Sequence, residues 1–491
     1  MTREDLPNHL LVVVAVIVVA FAVSGTSADA DLWGHVRFGQ DILAAHSIPR
    51  HDPYSFTSDR PWINHEWLAE VLMAGAYNIG ASTGLISLKL IIAVGALAVI
   101  WFALASAGVF RPVAVPLLLA VTLSTSYLLM TIRPQLFSAL LFAVLLALLN
   151  AAARGRTRVL LWIPILFAFW ANMHGGWIVG GGVLLLWSAG ALVARTVPWP
   201  WVAGGAILAM LGTLVTPYGV GLWLFLWETV GLGRADIVEW QPLHRAPFFL
   251  LPWAMTASLA VLAWRRCGRR AIAQLLPVVV LGLLALRVAR LEGFFAVASV
   301  ILLAPSFAAL GPQRLPLSRR PTKADVLAVG ALCVVGLVVT GFAVRRNVGC
   351  MTITTRGSTS SWAPEAEAVI FLRDNQIHGR LLSWFDYGEV AIWHLAPRLR
   401  VSYDGRRETV YSEAVQAAHR RFYASASDAS YARILEADYV WLPHRLPVIA
   451  PLVRDGWIEI FRGSRSVVLA RKPGPYTQPA PWTGPRCFPG P

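Results

Sequence analysis

Apolar residues fill long stretches of this chain, and the stretches recur with short polar breaks between them. After a charged start, the first run extends from Leu10 to Val23. Further runs lie near residues 84–107, 113–131, 135–153, 158–172, 176–194, 201–216, 248–264, 271–289, 292–310 and 325–343. Most approach the roughly 20 residues a helix needs to cross a bilayer, so the pattern predicts about eleven membrane spans. The small residues of "TSADA" after the first run would suit signal-peptide cleavage. No strongly basic segment precedes that run and many spans follow, so an uncleaved first helix is the better reading.

From about residue 346 the pattern changes. Short apolar runs at 380–385, 399–403, 438–442 and 466–470 read as strands. Stretches 363–375 and 411–424 between them carry a helical period. The alternation predicts a small α/β domain on a largely parallel sheet, ending in a Pro-rich extension from Pro473. The expected fold class is an α-helical polytopic membrane protein. Residues 1–345 form its membrane domain with a large first outer loop (26–82), and 346–491 form the α/β domain.

Composition narrows this further. Hydrophobic residues make up 56% and charged residues 14%, against about 25% charged in soluble domains, and the mean hydropathy is +0.59. These values exclude a soluble multidomain enzyme, a disordered chain and a disulfide scaffold. The net charge of +15 would suit a nucleic-acid partner, but its distribution speaks for topology. With the N-terminus in the cytoplasm, the cytoplasmic loops receive Arg111, the run 154–158, Arg195, the run 265–270, Arg314, Arg319, Arg320 and Lys323. That is the bias membrane insertion imposes; among the compact arginine clusters the exception is Arg345–Arg346. The expected location is therefore a bacterial inner membrane, with the tail in the periplasm and no nucleic-acid partner.

The outer face then collects most of the candidate chemistry. Its first loop holds Asp29, Asp31, His35, Asp52, His65 and Glu66, and later loops add Arg133, His174, Glu239, Arg287, Arg290 and Glu292. Ionisable groups at membrane depth are costly and tend to mark function. Asp31 and His35 share a helical face, as do Arg37 and Asp41, and Leu32, Val36, Gly39 and Leu43 form an apolar stripe suited to an interfacial helix. A carboxylate beside a histidine can serve as a general base; two solvated acids at a helix start would look the same. Asn64 suits a helix N-cap and Glu66 a first turn, whereas His65 has no such structural duty. A divalent metal held by Asp31, His35, His65 and Glu66 is an alternative use of these groups, without a metal-motif spacing. Arg133, Arg287 and Arg290 stand at outer span ends, where a guanidinium can fork onto phosphate oxygens. Cys350 and Cys487 both fall in the outer compartment, which permits a disulfide across the tail domain. The strand-end segment "YDGRRE" (403–408) is a further ligand-contact candidate.

An acidic pair just after the first span, a long outer loop with two helices, and about eleven spans resemble the GT-C superfamily of membrane glycosyltransferases. The protein mannosyltransferase and aminoarabinose transferase branches are the nearest comparison. Their acidic motif matches Asp29 and Asp31; their His-Pro-Pro stretch is matched by His65 alone, in "NHEWL". The resemblance implies sugar transfer from a polyprenyl-phosphate donor to an acceptor hydroxyl of a glycan, lipid or protein. Asp31 would be the catalytic base, with Asp29 as fallback. His35, His65, Glu66 and His174 would position substrate, and Arg133, Arg287 and Arg290 would bind the lipid phosphate. Two rivals stand beside it: a transporter or flippase of a lipid-linked substrate, and a non-catalytic glycan-binding scaffold.

Overall fold

The computed structural model describes residues 6–229, 231, 234, 237–265, 271–310, 334, 338, 349–353 and 363–491. The expected span at 325–343 lies almost wholly outside them, as do residues 266–270, Arg314, Arg319, Arg320, Lys323, Cys333, Arg345 and Arg346. The chain divides into two compact units. One is Met1–Thr26 with Ile86–Val348, and the other is Ser27–Leu85 with Gly349–Pro491. The first outer loop and the tail, far apart in sequence, belong to the same unit.

The first unit is helical. Among the described residues, four helices are long and apolar enough to cross a membrane: Trp67–Ser106, Pro134–Ala153, Trp177–Ala194 and Pro247–Trp264. Shorter apolar helices include Arg111–Ser124, Trp199–Gly212, Val220–Thr229 and Ile272–Arg287. Several expected runs break. The 113–131 run stops at Thr125 and restarts as Ser126–Leu129, and 292–310 divides at Leu303. Prolines at the first turns of Arg111–Ser124, Pro134–Ala153 and Trp199–Gly212 sit where their missing N–H costs nothing. Outward-facing side chains such as Trp227 (89% exposed) and Phe102 (69%) are tolerable only against lipid, and the chain is a membrane protein. Close helix packing relies on small residues: a Cβ on Gly190 would lie 2.5 Å from the Ala273 Cα. Lys89 is fully buried, its Nζ donating to the Val23 carbonyl at 2.6 Å and to that of Gly25. It thus satisfies carbonyls at the end of helix Leu6–Ser24.

The second unit is built on five strands, β1 (Gly379–Ser383), β2 (Leu399–Val401), β3 (Tyr439–Pro443), β4 (Ile458–Arg462) and β5 (Ser466–Ala470). Their order is β2-β1-β3-β5-β4. The β2-β1-β3 half is parallel, with Leu381 opposite Val401 and Leu382 opposite Val440, and β3-β5-β4 is antiparallel. The sheet is therefore mixed, because a closing hairpin, β4–β5, is added to the parallel core. Helices Ala366–Asp374, Gly388–Leu395 and Glu413–Ala424 accompany it, the last capped by Ser412, whose Oγ accepts the Val415 N–H at 3.3 Å.

Helix Leu32–Ala45 and the part of Trp67–Ser106 up to Leu85 complete this unit. Leu32–Ala45 buries Trp33, Gly34, Phe38 and Ile42 besides Leu32, Val36 and Gly39, whereas Leu43 is exposed. The expected interfacial stripe is thus replaced by a helix enclosed by protein on more than one side. Trp67–Ser106 is two helical segments joined by a kink at Gly80 and Ala81, the latter with φ 48°. Asn64 lies three residues before the first helical residue; its side chain accepts the Glu66 N–H at 3.3 Å and donates to Glu70 at 2.5 Å. The Cys350–Cys487 disulfide ties the chain end into the unit.

Candidate functional site

Asp31 is the N-cap residue of Leu32–Ala45, yet its side chain makes no cap hydrogen bond. It turns instead toward Gly405: a Cβ there would lie 2.4 Å from Asp31 Oδ1 and 2.6 Å from Glu389 Oε1. Two carboxyl groups therefore converge on a spot that only glycine leaves open. Glu389 comes from helix Gly388–Leu395, is buried, and accepts the Gly34 N–H at 3.0 Å. Burial, and then the charges of Asp31 and Asp404, push its carboxyl well above the usual range, with Arg406 pulling the other way.

His35 follows one turn after Asp31, and its Nδ1 lies 3.3 Å from Glu70 Oε1. Burial alone would keep the imidazole neutral. The Glu70 hydrogen bond and the charges of Glu66, Glu70 and Asp31 outweigh it and raise His35 to about 9. His65 Nε2 is 3.7 Å from Glu66 Oε1. Among the described residues no three His, Cys, Asp or Glu are placed to hold a metal ion, so the Asp31, His35, His65 and Glu66 set is not assembled as a ligand sphere here. Arg37 and Asp41 do pair, at 2.9 Å, and Asp41 also accepts from the Tyr54 hydroxyl.

Behind these groups lies a buried ion-pair network. Arg406 forks onto Asp52 at 2.6 and 2.9 Å and onto Asp404 at 2.9 and 2.7 Å. Its guanidinium is also held among the rings of Phe38, Tyr54 and Trp62, 4.9–5.3 Å from their centroids. Tyr411 donates to Asp404 at 2.7 Å. Burial opposes ionisation of Asp404, but the Arg406 charge and hydrogen bonds outweigh it and hold the carboxyl below its usual value. Within the "YDGRRE" segment, a ligand-contact candidate by its place after a strand, Arg406 and Asp404 join the tail to the first outer loop through Asp52. Asp386, in the turn after β1, is raised to about 6 by burial despite a 3.1 Å hydrogen bond from Trp384.

The first unit carries a second polar cluster. His174 Nδ1 is 2.7 Å from Ser138 Oγ, which accepts from Trp170 Nε1 at 2.7 Å. On its other side, His174 Nε2 is 3.4 Å from an Arg290 nitrogen. Arg290 also pairs with Glu239 at 3.0 Å and lies 5.4 Å from the Trp240 ring centroid, on which Arg234 stacks at 4.3 Å. Arg287 ends helix Ile272–Arg287 and is exposed; Val288 is extended (φ −136°, ψ 99°), so Arg287 and Arg290 do not share one helical face. Glu239, rather than Glu292, is the acid beside Arg290; Glu292 is fully buried. Arg133 is the N-cap residue of Pro134–Ala153, and Asp29 precedes the loop helix, its carbonyl accepting the Leu32 N–H at 3.3 Å.

Glu70, Glu389 and Ser138 escaped the sequence reading. A signal existed for Glu389, a lone acid in the apolar helix "GEVAIWHL", since an acid there needs a reason. Ser138 offered none.

No protein-family model matches the chain, and no curated protein sequence does. Solved structures do. The apo oligosaccharyltransferase of Archaeoglobus fulgidus superposes with a TM-score of 0.57 at 13% identity, over 89% of this chain and 69% of that one. The same enzyme tethered with an acceptor peptide containing the NVT sequon gives 0.56 at 15%, over 89% and 68%. ArnT from Cupriavidus metallidurans bound to undecaprenyl phosphate gives 0.53 at 13%, over 94% and 97%. The chain thus shares its fold with these solved structures over 89–94% of its length, as the resemblance seen in the sequence implies.

Proposed function

We propose that this protein is a membrane glycosyltransferase that moves a sugar from a polyprenyl-phosphate donor to an acceptor hydroxyl at the periplasmic face of a bacterial inner membrane. The observation that carries the proposal is the position of Asp31. It stands at a helix start in the fold of glycosyltransferases, makes no cap hydrogen bond, and converges with Glu389 on Gly405. In this reading Asp31 accepts the acceptor hydroxyl proton as the sugar C1–O bond to the lipid phosphate breaks, with Asp29 as the fallback base. The phosphate leaves with the bond's electron pair. Cationic donors lower the cost of that charge in a site from which water is excluded. Arg290 with His174 is the best-organised such group; Arg133 and Arg287 are the other candidates. His35, His65 and Glu66 position the acceptor or the base. ArnT in its solved complex binds undecaprenyl phosphate, the class of lipid proposed here.

The test is transfer by the purified protein in nanodiscs from a panel of polyprenyl-phosphate sugars. Asp31→Asn is expected to lower the rate by about 10²–10⁴-fold, the usual contribution of a general base, with an unchanged melting profile. Full activity in that variant would remove Asp31 from the mechanism. Absence of transfer from every donor by the wild type would favour the transporter or scaffold reading.

A further inference from the structure

The chain end is the least expected part of the second unit. Residues 471–475 and 479–483 are largely exposed and Pro-rich, yet Phe488 is buried to 3% exposure. Its ring packs edge-on to Trp33 at 5.1 Å and Tyr77 at 5.4 Å, and lies 5.5 Å from Trp393. Each of these residues belongs to a different helix: Leu32–Ala45, Trp67–Ser106 and Gly388–Leu395. The backbone polar groups of Phe488 and Pro489 are also engaged. The Phe488 N–H donates to the Met351 carbonyl at 2.8 Å, and its carbonyl accepts from Ser82 Oγ at 2.8 Å. The Pro489 carbonyl accepts from Trp33 Nε1 at 2.7 Å and from His394 Nε2 at 3.0 Å. Cys487 is bonded to Cys350 and bridges Thr352, whose other edge bridges Ser27. The Ala28 N–H in turn donates to the Thr352 carbonyl at 2.9 Å. Asp29 and Asp31 follow directly, and Trp33 lies two residues beyond Asp31.

We propose that Cys487–Pro489 is a positioning element for the candidate catalytic carboxylate: Phe488 is a wedge, locked in place by the disulfide, that holds the segment carrying Asp31 against the helix carrying Glu389. The bridge through Thr352 fixes the segment before Asp31, and Trp33 fixes the helix after it. Gly34 and Gly405 leave no room for readjustment, since a Cβ on Gly34 would lie 2.1 Å from Glu389 Oε2. Loss of the wedge frees Trp33 and lets the first turn of Leu32–Ala45 shift. A displacement of about 1 Å at a reacting group can cost about 10²-fold in rate. The sheet is held by its own strand ladder and is expected to keep its structure. The effect on rate rests on the transferase reading above; the effect on the helix does not.

Hydrogen exchange on the full-length protein tests the structural part. In Phe488→Ala, amides of Leu32–Ala45 are expected to lose protection by about tenfold or more while those of β1, β3 and β5 keep theirs, which also certifies folding. Phe488→Leu, retaining apolar volume, should restore most of the protection. Opening the disulfide with dithiothreitol should reproduce the loss in part. That reaction passes two electrons and two protons to Cys350 and Cys487 while the dithiol closes to its own cyclic disulfide. If the wild type transfers sugar, Phe488→Ala should lower kcat with little change in the donor KM, and Phe488→Leu should recover it. Equal protection of Leu32–Ala45 in Phe488→Ala and wild type overturns the proposal, whatever the activity. Lost protection with undiminished kcat overturns the positioning role while leaving the transferase reading intact.

Discussion

Arg406 shows how much one side chain can hold in a buried setting. Its guanidinium pairs with Asp52 and Asp404 together and is walled by three aromatic rings. Removing the cation would leave two buried carboxylates facing each other, a situation that costs about 3–5 kcal/mol for one broken buried pair. Arg406→Ala is therefore expected to destabilise the second unit by at least that amount, read as a fall in its melting temperature. Arg406→Lys should rescue little, since an ammonium cannot fork onto two carboxylates. A Lys variant as stable as wild type would show that charge alone matters here. Gly405 makes a complementary case. Gly405→Ala would thrust a methyl between Asp31 and Glu389, at 2.4 and 2.6 Å, so it should abolish transfer at a modest stability cost. Normal kcat in that variant would mean that the two carboxyl groups do not need their present spacing.

At the scale of elements, much of the architecture was legible because hydrophobic period is a local property. Helices Pro134–Ala153 and Trp177–Ala194 lie within a residue of the apolar runs that predict them. Strand β5 coincides with its run, 466–470, and Glu413–Ala424 with a helical period. What local pattern could not show is partnership. Strand β4 went unrecognised since its burial is confined to Ile460 and Phe461, as expected of an edge strand with one side in water. The apolar stripe on Leu32–Ala45 was real, but which surface covers it depends on the chain near Glu389 and Phe488, over 340 residues away. For the same reason the pairing of Arg290 with Glu239 was hidden: each stands in a short, non-periodic turn, and two α-helices separate them in sequence. Gly39 offers a test at this scale. A Cβ there would meet the Glu70 carbonyl oxygen at 2.1 Å, so Gly39→Val should separate the two loop helices and weaken the His35–Glu70 contact. Retained protection of the Trp67–Ile79 amides would argue that the helices tolerate wider spacing.

Across the second unit as a whole, buried titratable groups set a direction for its response to acid. His394 and His419 are each lowered to about 4 by burial, which opposes the charged form. The unfolded chain protonates both near pH 6.5. Between those values it binds more protons than the folded chain, so both histidines make stability fall as pH drops from about 6.5 toward 4. Asp386 acts oppositely. Its folded carboxyl keeps its proton up to about 6, whereas the unfolded one releases it near 3.9, so its contribution falls as pH rises through that range. His35, raised to about 9, loses its stabilising contribution only above neutrality and does not enter this window. Glu389 and Glu365, raised by burial, act in the same sense as Asp386, whereas Asp404, which burial would raise but Arg406 holds low, adds to the loss on acidification, so the histidine share is the part that single substitutions isolate. The melting temperature of the second unit is thus expected to carry a histidine-dependent loss between pH 7 and pH 4.5. Asp386→Asn should steepen the dependence by removing the offset, and His394→Gln should flatten it. Because His394 donates to the Pro489 carbonyl through Nε2, the C-terminal peptide should be the first element to lose protection as the pH falls. A pH dependence left unchanged by His394→Gln would mean that this imidazole reaches solvent in the folded protein, and that the aromatic packing around Phe488 is looser than its contacts imply.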